Sequence, residues 1–189
     1  MPPMPVTAAA KYPDAYLHPD LIIGFAGHRF LENEHVIHAA ITTHLEQLKK
    51  TKTPRAISSI AIGADMLFAQ AALELRIPWH VYLPFPENEF RDDFSRQDWL
   101  RAKALITRAA SVNPPPPPPA NAARDTAYSA CADRIVAACD LLLAVWDGKP
   151  ARGPGGTQET IARATTLGKR VIIIDSATGA PGEPTPTPP

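Results

Sequence analysis

A glycine-rich segment at residues 147–159 carries the residue types best suited to chemistry in this chain. It follows an apolar run at residues 141–146 and precedes a helical pattern. Its polar and glycine positions are Asp147, Gly148, Gly155, Gly156, Thr157 and Glu159. Backbone N–H groups at a helix start have no intrahelical partners and carry about half a positive charge, and glycines leave room for a phosphate to reach them. The segment therefore predicts an anion site.

Two earlier loops follow apolar runs in the same way. Their residues are Gly27, His28 and Arg29 in the first loop and Gly63, Ala64 and Asp65 in the second. The helix dipole disfavours Arg29 near a helix start unless an anion lies nearby, so a bound phosphate would stabilise this residue. An ion pair with Glu32 or Glu34 is the alternative. His28 could donate to a phosphate or cap the helix.

Three carboxylates each have a structural and a functional interpretation. Asp65 could be the N-cap of its helix or bind ribose hydroxyls. Asp147 could form a turn with Gly148 or face a ligand. Glu159 falls in the first turn of a helix, where the dipole favours it, but a carboxylate there could also attack or stabilise the oxocarbenium-like carbon formed when a base leaves its sugar. Both interpretations stay open for each residue.

The elements that position these loops alternate between strands and helices. Apolar runs at 21–25, 56–62, 79–83, 141–146 and 170–175 are separated by helical patterns, with a short strand predicted at 111–112. This alternation predicts a doubly wound α/β fold, with a mostly parallel Rossmann-like sheet and helices on both faces. In such sheets, ligands bind at the carboxyl ends of the strands. The three loops are therefore expected to meet at one site.

Composition excludes several classes of function. The chain has 189 residues, with 19 lysines and arginines against 19 aspartates and glutamates. This neutrality argues against nucleic acid as a partner. The absence of an apolar run of about 20 residues and of a secretory signal predicts a cytoplasmic protein with no membrane partner. The six histidines form no metal set, Cys131 and Cys139 are expected to be buried reduced thiols, and we expect no metal or cofactor.

Proline divides the chain into one folded domain and flanking segments. We expect a disordered or loosely packed arm at residues 1–20, a Rossmann-like domain at 21–175 and a Pro-rich disordered tail at 176–189. A Pro-rich loop at 113–122 would lie within the domain as a solvated segment.

The three loops together resemble the SLOG superfamily of Rossmann-like domains. The similarity covers residues 21–175 and depends on Gly24-Phe-Ala-Gly27-His28-Arg29, Ser58-Ser-Ile-Ala-Ile-Gly63-Ala-Asp65 and Trp146-Asp147-Gly148 with Gly155-Gly156-Thr157-Gln-Glu159. The superfamily includes the DNA-processing protein DprA, the LOG phosphoribohydrolases and predicted sensors of nucleotide-derived signals. The Gly-His-Arg first motif is similar to that of an uncharacterised bacterial branch.

The resemblance implies a nucleotide pocket lined by the three loops. It leaves two functions open: a binding domain or sensor for a nucleotide or nucleotide-derived molecule, and an N-glycosidic hydrolase or transferase that uses Glu159. The LOG motif has an additional glycine before its threonine, so Glu159 comes one residue closer here and is turned by about 100° on the helix. Binding of single-stranded DNA, as in DprA, is disfavoured by the neutral charge. The alanine-rich helix at 157–167 could pack in a homodimer or onto the sheet.

Overall fold

The computed structural model describes residues 20–117, 123–150 and 155–182. Within these ranges the strands are β1 Asp20–Gly27, β2 Thr53–Ser58, β3 Trp79–Tyr82, β4 Ser111–Asn113, β5 Leu141–Trp146, β6 Arg170–Asp175 and β7 Pro181–Gly182. The helices are α1 Glu34–Lys49, α2 Ala64–Glu74, α3 Glu87–Phe90, α4 Arg96–Ile106, α5 Arg124–Ala138 and α6 Thr157–Thr166, with a 3₁₀ turn at Arg91–Asp93.

The strands form one sheet in the order β4-β3-β2-β1-β5-β6-β7. All neighbouring pairs are parallel except β6 and β7, which are antiparallel. The chain starts in the middle of the sheet at β1, winds outward to β4, and then returns to place β5 against the other side of β1. This order confirms the predicted doubly wound α/β fold.

Helices cover both faces of the sheet because its inner strand β5 is apolar on both sides. All six residues of β5 are buried. Leu141, Leu143 and Val145 belong to a core that includes buried residues of α1, α2 and α4. The alternate residues of β5 belong to a second core with α5 and α6, as expected for a strand whose successive side chains point to opposite faces. Cys131 and Cys139 lie in this second core as free, buried thiols, as predicted.

The boundaries of several elements differ from the sequence predictions for local reasons. Helix α1 begins at Glu34, because the Asn33 side chain accepts a hydrogen bond from the Val36 N–H at 3.3 Å and caps the helix. Strand β2 ends at Ser58 rather than at residue 62, which lengthens the loop before α2. The predicted tail begins with a turn, in which the Asp175 carboxylate accepts from the backbone of Ala177 and Thr178, and continues into β7.

Parts of the predicted arm, Pro-rich loop and tail lie outside the described residues. The parts outside are 1–19 of the arm, 118–122 of the Pro-rich loop and 183–189 of the tail. In the described part of the chain, no helix is both long and apolar enough to cross a membrane.

Two glycines bring the β1 loop and the start of α2 into direct backbone contact. A Cβ at Gly27 would overlap the Cβ of Ala64. Gly63 has a φ of +85°, and a Cβ there would lie 2.6 Å from the carbonyl oxygen of His28 and closer still to that of Arg29. The same His28 carbonyl accepts a hydrogen bond from the Ala64 N–H at 3.0 Å. These glycines therefore serve close packing of the two loops.

We expect Gly63→Ala to lower the free energy of unfolding by more than about 3 kcal/mol, because it combines a left-handed backbone with a steric overlap against two carbonyl oxygens. Gly148→Ala is the matched control: its φ is +75°, but nothing lies within 4 Å of an added Cβ. The control should lose only about 1 kcal/mol from the left-handed conformation. Urea denaturation of both variants measures the difference, and equal losses would contradict the packing role of Gly63.

Candidate functional site

A cleft of about 770 Å³ opens at the carboxyl ends of β1 and β5. These two strands are neighbours, and the winding of the chain reverses between them. Of the residues predicted as a site, those that line this cleft are Gly27, His28, Arg29, Asp65, Asp147, Gly155, Gly156 and Thr157. Within the described part of the chain, four predicted residues do not line the cleft: Gly63, Ala64, Gly148 and Glu159. The structure therefore brings residues of all three predicted loops to one cleft, and their ligand-binding roles stay predictions.

The start of α6 faces the cleft. Gly156 is its N-cap and contributes no side-chain hydrogen bond, so the first N–H groups of the helix have no side-chain cap. Thr157 and Gln158 line the cleft beside it. Thr157 is largely buried, with 7% of the residue exposed, and its hydroxyl has no hydrogen-bond partner among the described residues. A hydroxyl in a cleft wall without a protein partner is suited to bind a ligand oxygen.

The Glu159 carboxylate is used locally. One of its oxygens accepts a hydrogen bond from the Gly155 N–H at 2.8 Å, and the residue is exposed. A glutamate in the first turn commonly reaches back to an N–H near the helix start, and this corresponds to the structural interpretation of the residue. Gly155, with a φ of +71°, packs against α5: a Cβ there would lie 2.9 Å from the Ser129 nitrogen.

His28 joins the loops that follow β1 and β5. Its Nε2 atom lies 3.0 Å from the Asp147 backbone nitrogen and 3.0 Å from the Asp147 Oδ1 atom. One ring nitrogen cannot accept and donate at once: without a hydrogen, Nε2 accepts from the Asp147 N–H, and with a hydrogen it donates to the Asp147 carboxylate. Partial burial tends to raise the pKa of Asp147. The pKa nevertheless lies below its ordinary value, because the Lys149 N–H and His28 stabilise the carboxylate.

Asp65 is a buried carboxyl group in the cleft wall, with 7% of the residue exposed. The N-cap interpretation of this residue is wrong, because Gly63 is the N-cap of α2 and Asp65 lies inside the first turn. Its Oδ2 atom accepts from the Ala61 N–H at 3.1 Å. Burial raises the pKa of Asp65 to about 7, against the lowering effects of this hydrogen bond and of Arg29. Near neutral pH the group exchanges between acid and carboxylate.

The exposed Arg29 side chain lies over an aromatic ring. Its guanidinium carbon is 5.7 Å from the centre of the Tyr128 ring, and no carboxylate of the described residues lies within 4.0 Å of its nitrogens. Glu34, one of the predicted partners, instead lies 3.7 Å from Arg101. Tyr128 was not predicted, since a tyrosine in an amphipathic helix carries no signal of its tertiary neighbours. Its hydroxyl donates to Asp93.

Solved structures of two DprA proteins have a fold similar to that of this chain. The structure of DprA from Streptococcus pneumoniae superposes with a TM-score of 0.57 at 17% sequence identity, over 85% of this chain and 52% of that one. The chain shares its fold with DprA. DprA from Helicobacter pylori gives a TM-score of 0.56 at 17% identity, over 86% of this chain and 71% of that one.

Sequence comparisons give nothing more specific. No protein-family model matches the chain, and no curated protein matches its sequence. The chain spans about half the length of S. pneumoniae DprA. The likeness to DprA therefore shows a common fold.

The prediction that nucleic acid is an unlikely partner is wrong. The H. pylori DprA structure is described for its single-stranded DNA binding mode, so a protein with this fold binds a nucleic acid. The error came from the use of overall charge: a neutral chain can still present a local cationic surface, and only the tertiary structure decides whether it does.

Asp65 predicts a pH-dependent stability. Between about pH 4 and 7 the folded protein keeps a proton on Asp65 that the unfolded chain has lost. The free energy of unfolding should therefore fall as the pH rises through this window, by at most about 4 kcal/mol. We expect Asp65→Asn to remove this component. Urea titrations from pH 4 to 8 measure it, with the exposed cleft residue Asp125→Asn as the control for loss of a charge. Parallel profiles for the wild type and Asp65→Asn would contradict the assignment.

Proposed function

We propose that the cleft binds a nucleotide or nucleotide-derived ligand, with its phosphate at the start of α6. The observation that carries this proposal is the N-terminus of α6, which has no side-chain cap and lies beside the unpartnered hydroxyl of Thr157 at the switch point of the sheet. Free N–H groups and the positive end of the helix dipole favour an anion there. Open α/β sheets bind ligands at this point of their topology.

Charges around the cleft support an anionic ligand with hydroxyl groups. Arg29 supplies a cation that no carboxylate of the described residues neutralises within 4.0 Å. In its neutral form Asp65 can donate a hydrogen bond to a ligand oxygen, and in its charged form it can accept one from a sugar hydroxyl. Asp147 also lines the cleft and is held by His28. The cleft thus offers groups for both the phosphate and the sugar of such a ligand.

Binding without turnover has more support than N-glycosidic cleavage. A catalytic Glu159 would have to reach the sugar carbon, yet its carboxylate is exposed and accepts from the Gly155 N–H. We therefore favour the sensor or binding domain over the hydrolase or transferase. The homodimer and the cytoplasmic location stay predictions.

The phosphate site is tested with Thr157→Val, which keeps the shape of the side chain and removes its hydroxyl. Nucleoside monophosphates should raise the Tm of the wild type, and Thr157→Val should weaken their binding about tenfold, because a hydrogen bond to a charged group is lost. Thr165→Val is the control, since its hydroxyl donates to the Ile161 carbonyl on the same helix and Thr165 is not among the described residues lining the cleft.

Calorimetry gives the affinities, and chromatography of the same samples detects a released base. Binding without a product supports the sensor. Release of a base that is abolished in Glu159→Gln would instead establish the glycosidase. Failure of every nucleotide to bind would contradict the proposed ligand class.

A single strand of DNA is the second candidate ligand, and the single-stranded DNA binding of H. pylori DprA favours it. Arg29 and Lys149 are exposed at the cleft and could hold strand phosphates. We expect a 5′-phosphorylated thymidine strand to bind with a salt-dependent affinity, and each substitution, Arg29→Ala or Lys149→Ala, to reduce the slope of log affinity against log salt by about 0.7. Lys50→Ala, at the end of α1, is the control. Equal slopes for all variants would contradict strand binding at this cleft.

A further inference from the structure

Phe30 is an exposed aromatic residue at the cleft. It lies between Arg29 and Leu31 in the loop after β1, and 84% of the residue is exposed to solvent. Phe30 and Arg29 both line the cleft that contains the start of α6. The other exposed large apolar residues, Leu100, Val112 and Leu167, are not among the described residues that line it.

The other phenylalanines all contact a second aromatic ring. Phe25 stacks on Phe68 with ring centres 4.4 Å apart. Phe85, Phe90 and Phe94 belong to one aromatic cluster, with Phe85 edge-on to Tyr128 at 5.3 Å and Phe90 edge-on to Phe94 at 5.1 Å. The ring of Phe30 contacts no other aromatic ring of the described residues. Its ring is therefore exposed to solvent at the cleft and free of aromatic neighbours in the described part of the chain.

We propose that Phe30 stacks on the base of the bound ligand, whether that base belongs to a free nucleotide or to a single strand. This inference rests on the proposed function and names the part of the ligand that lies outside the phosphate site. A base has a flat π-surface, and stacking on an aromatic side chain removes both surfaces from water without requiring a particular base.

The position of Phe30 fits this role. Its chain neighbour Arg29 can hold a phosphate, so two successive residues face the two chemically different ends of a nucleotide: the charged end and the aromatic end. An exposed phenylalanine contributes little to the folded core, so its substitution should leave the Tm unchanged and report on binding alone. The cleft would then select nucleotides over sugar phosphates that lack a base.

The experiment compares ligands with and without a base. Calorimetry measures AMP and ribose 5-phosphate on the wild type, on Phe30→Leu, which keeps apolar bulk without a ring, and on the control Leu100→Ala. A parallel pair consists of a 5′-phosphorylated thymidine trinucleotide and the same strand with an abasic first position. The wild type and the control should prefer the ligand with the base by at least about fivefold, and Phe30→Leu should bring this ratio close to one without changing the affinity for ribose 5-phosphate.

The outcomes separate the two proposals. A preference for AMP identifies a free nucleotide as the source of the base, and a preference confined to the strand pair identifies a single strand. If Phe30→Leu keeps the wild-type ratio, or the wild type binds both members of each pair equally, stacking is overturned while the phosphate site stands. If the wild type binds none of the four ligands, the proposed function fails and the stacking role fails with it.

Discussion

The placement of β1 between β2 and β5 is the constraint on which the site depends. Because the chain winds outward from β1 in one direction and then returns to its other side, the connections after β1 and β5 lead to opposite faces of the sheet. Helix α1 packs into one core and α6 into the other. No single helix can cover the gap between them, so an open cleft remains at the carboxyl ends of these two central strands.

Close backbone packing around this cleft fixes its walls. Gly27 and Gly63 allow the β1 loop and the start of α2 to touch, and Gly155 allows the α6 loop to touch α5. His28 then joins the β1 loop to Asp147 after β5. The glycines and the histidine thus connect elements that lie far apart in the chain. A glycine-rich loop can therefore reflect the contact of two backbones as well as the approach of a ligand.

The charges of the cleft are distributed so that an anion can be held without a large net field. Arg29 and the start of α6 are favourable to a phosphate, whereas Asp147 is a stable carboxylate paired with His28. Asp65 can be either neutral or negatively charged, since its burial makes the protonated form accessible near neutral pH. This arrangement agrees with a chain that is neutral overall. Overall charge was a poor basis for judging nucleic acid as a partner, because a neutral chain can still present a local cationic surface.

The sequence by itself determined the fold class and the position of the cleft. Strand-length apolar runs and helical periodicity are local signals, and parallel strands joined by helices must bring their carboxyl ends to one edge. It could not decide what each polar side chain does there, because that depends on distances between residues far apart in the chain. Glu159 accepts from Gly155, Asp65 is buried beside Ala61, and His28 meets Asp147 only after the sheet has formed. Tyr128 reached the cleft only through tertiary packing, which no local spacing encodes, whereas Phe30 directly follows Arg29 of the predicted loop.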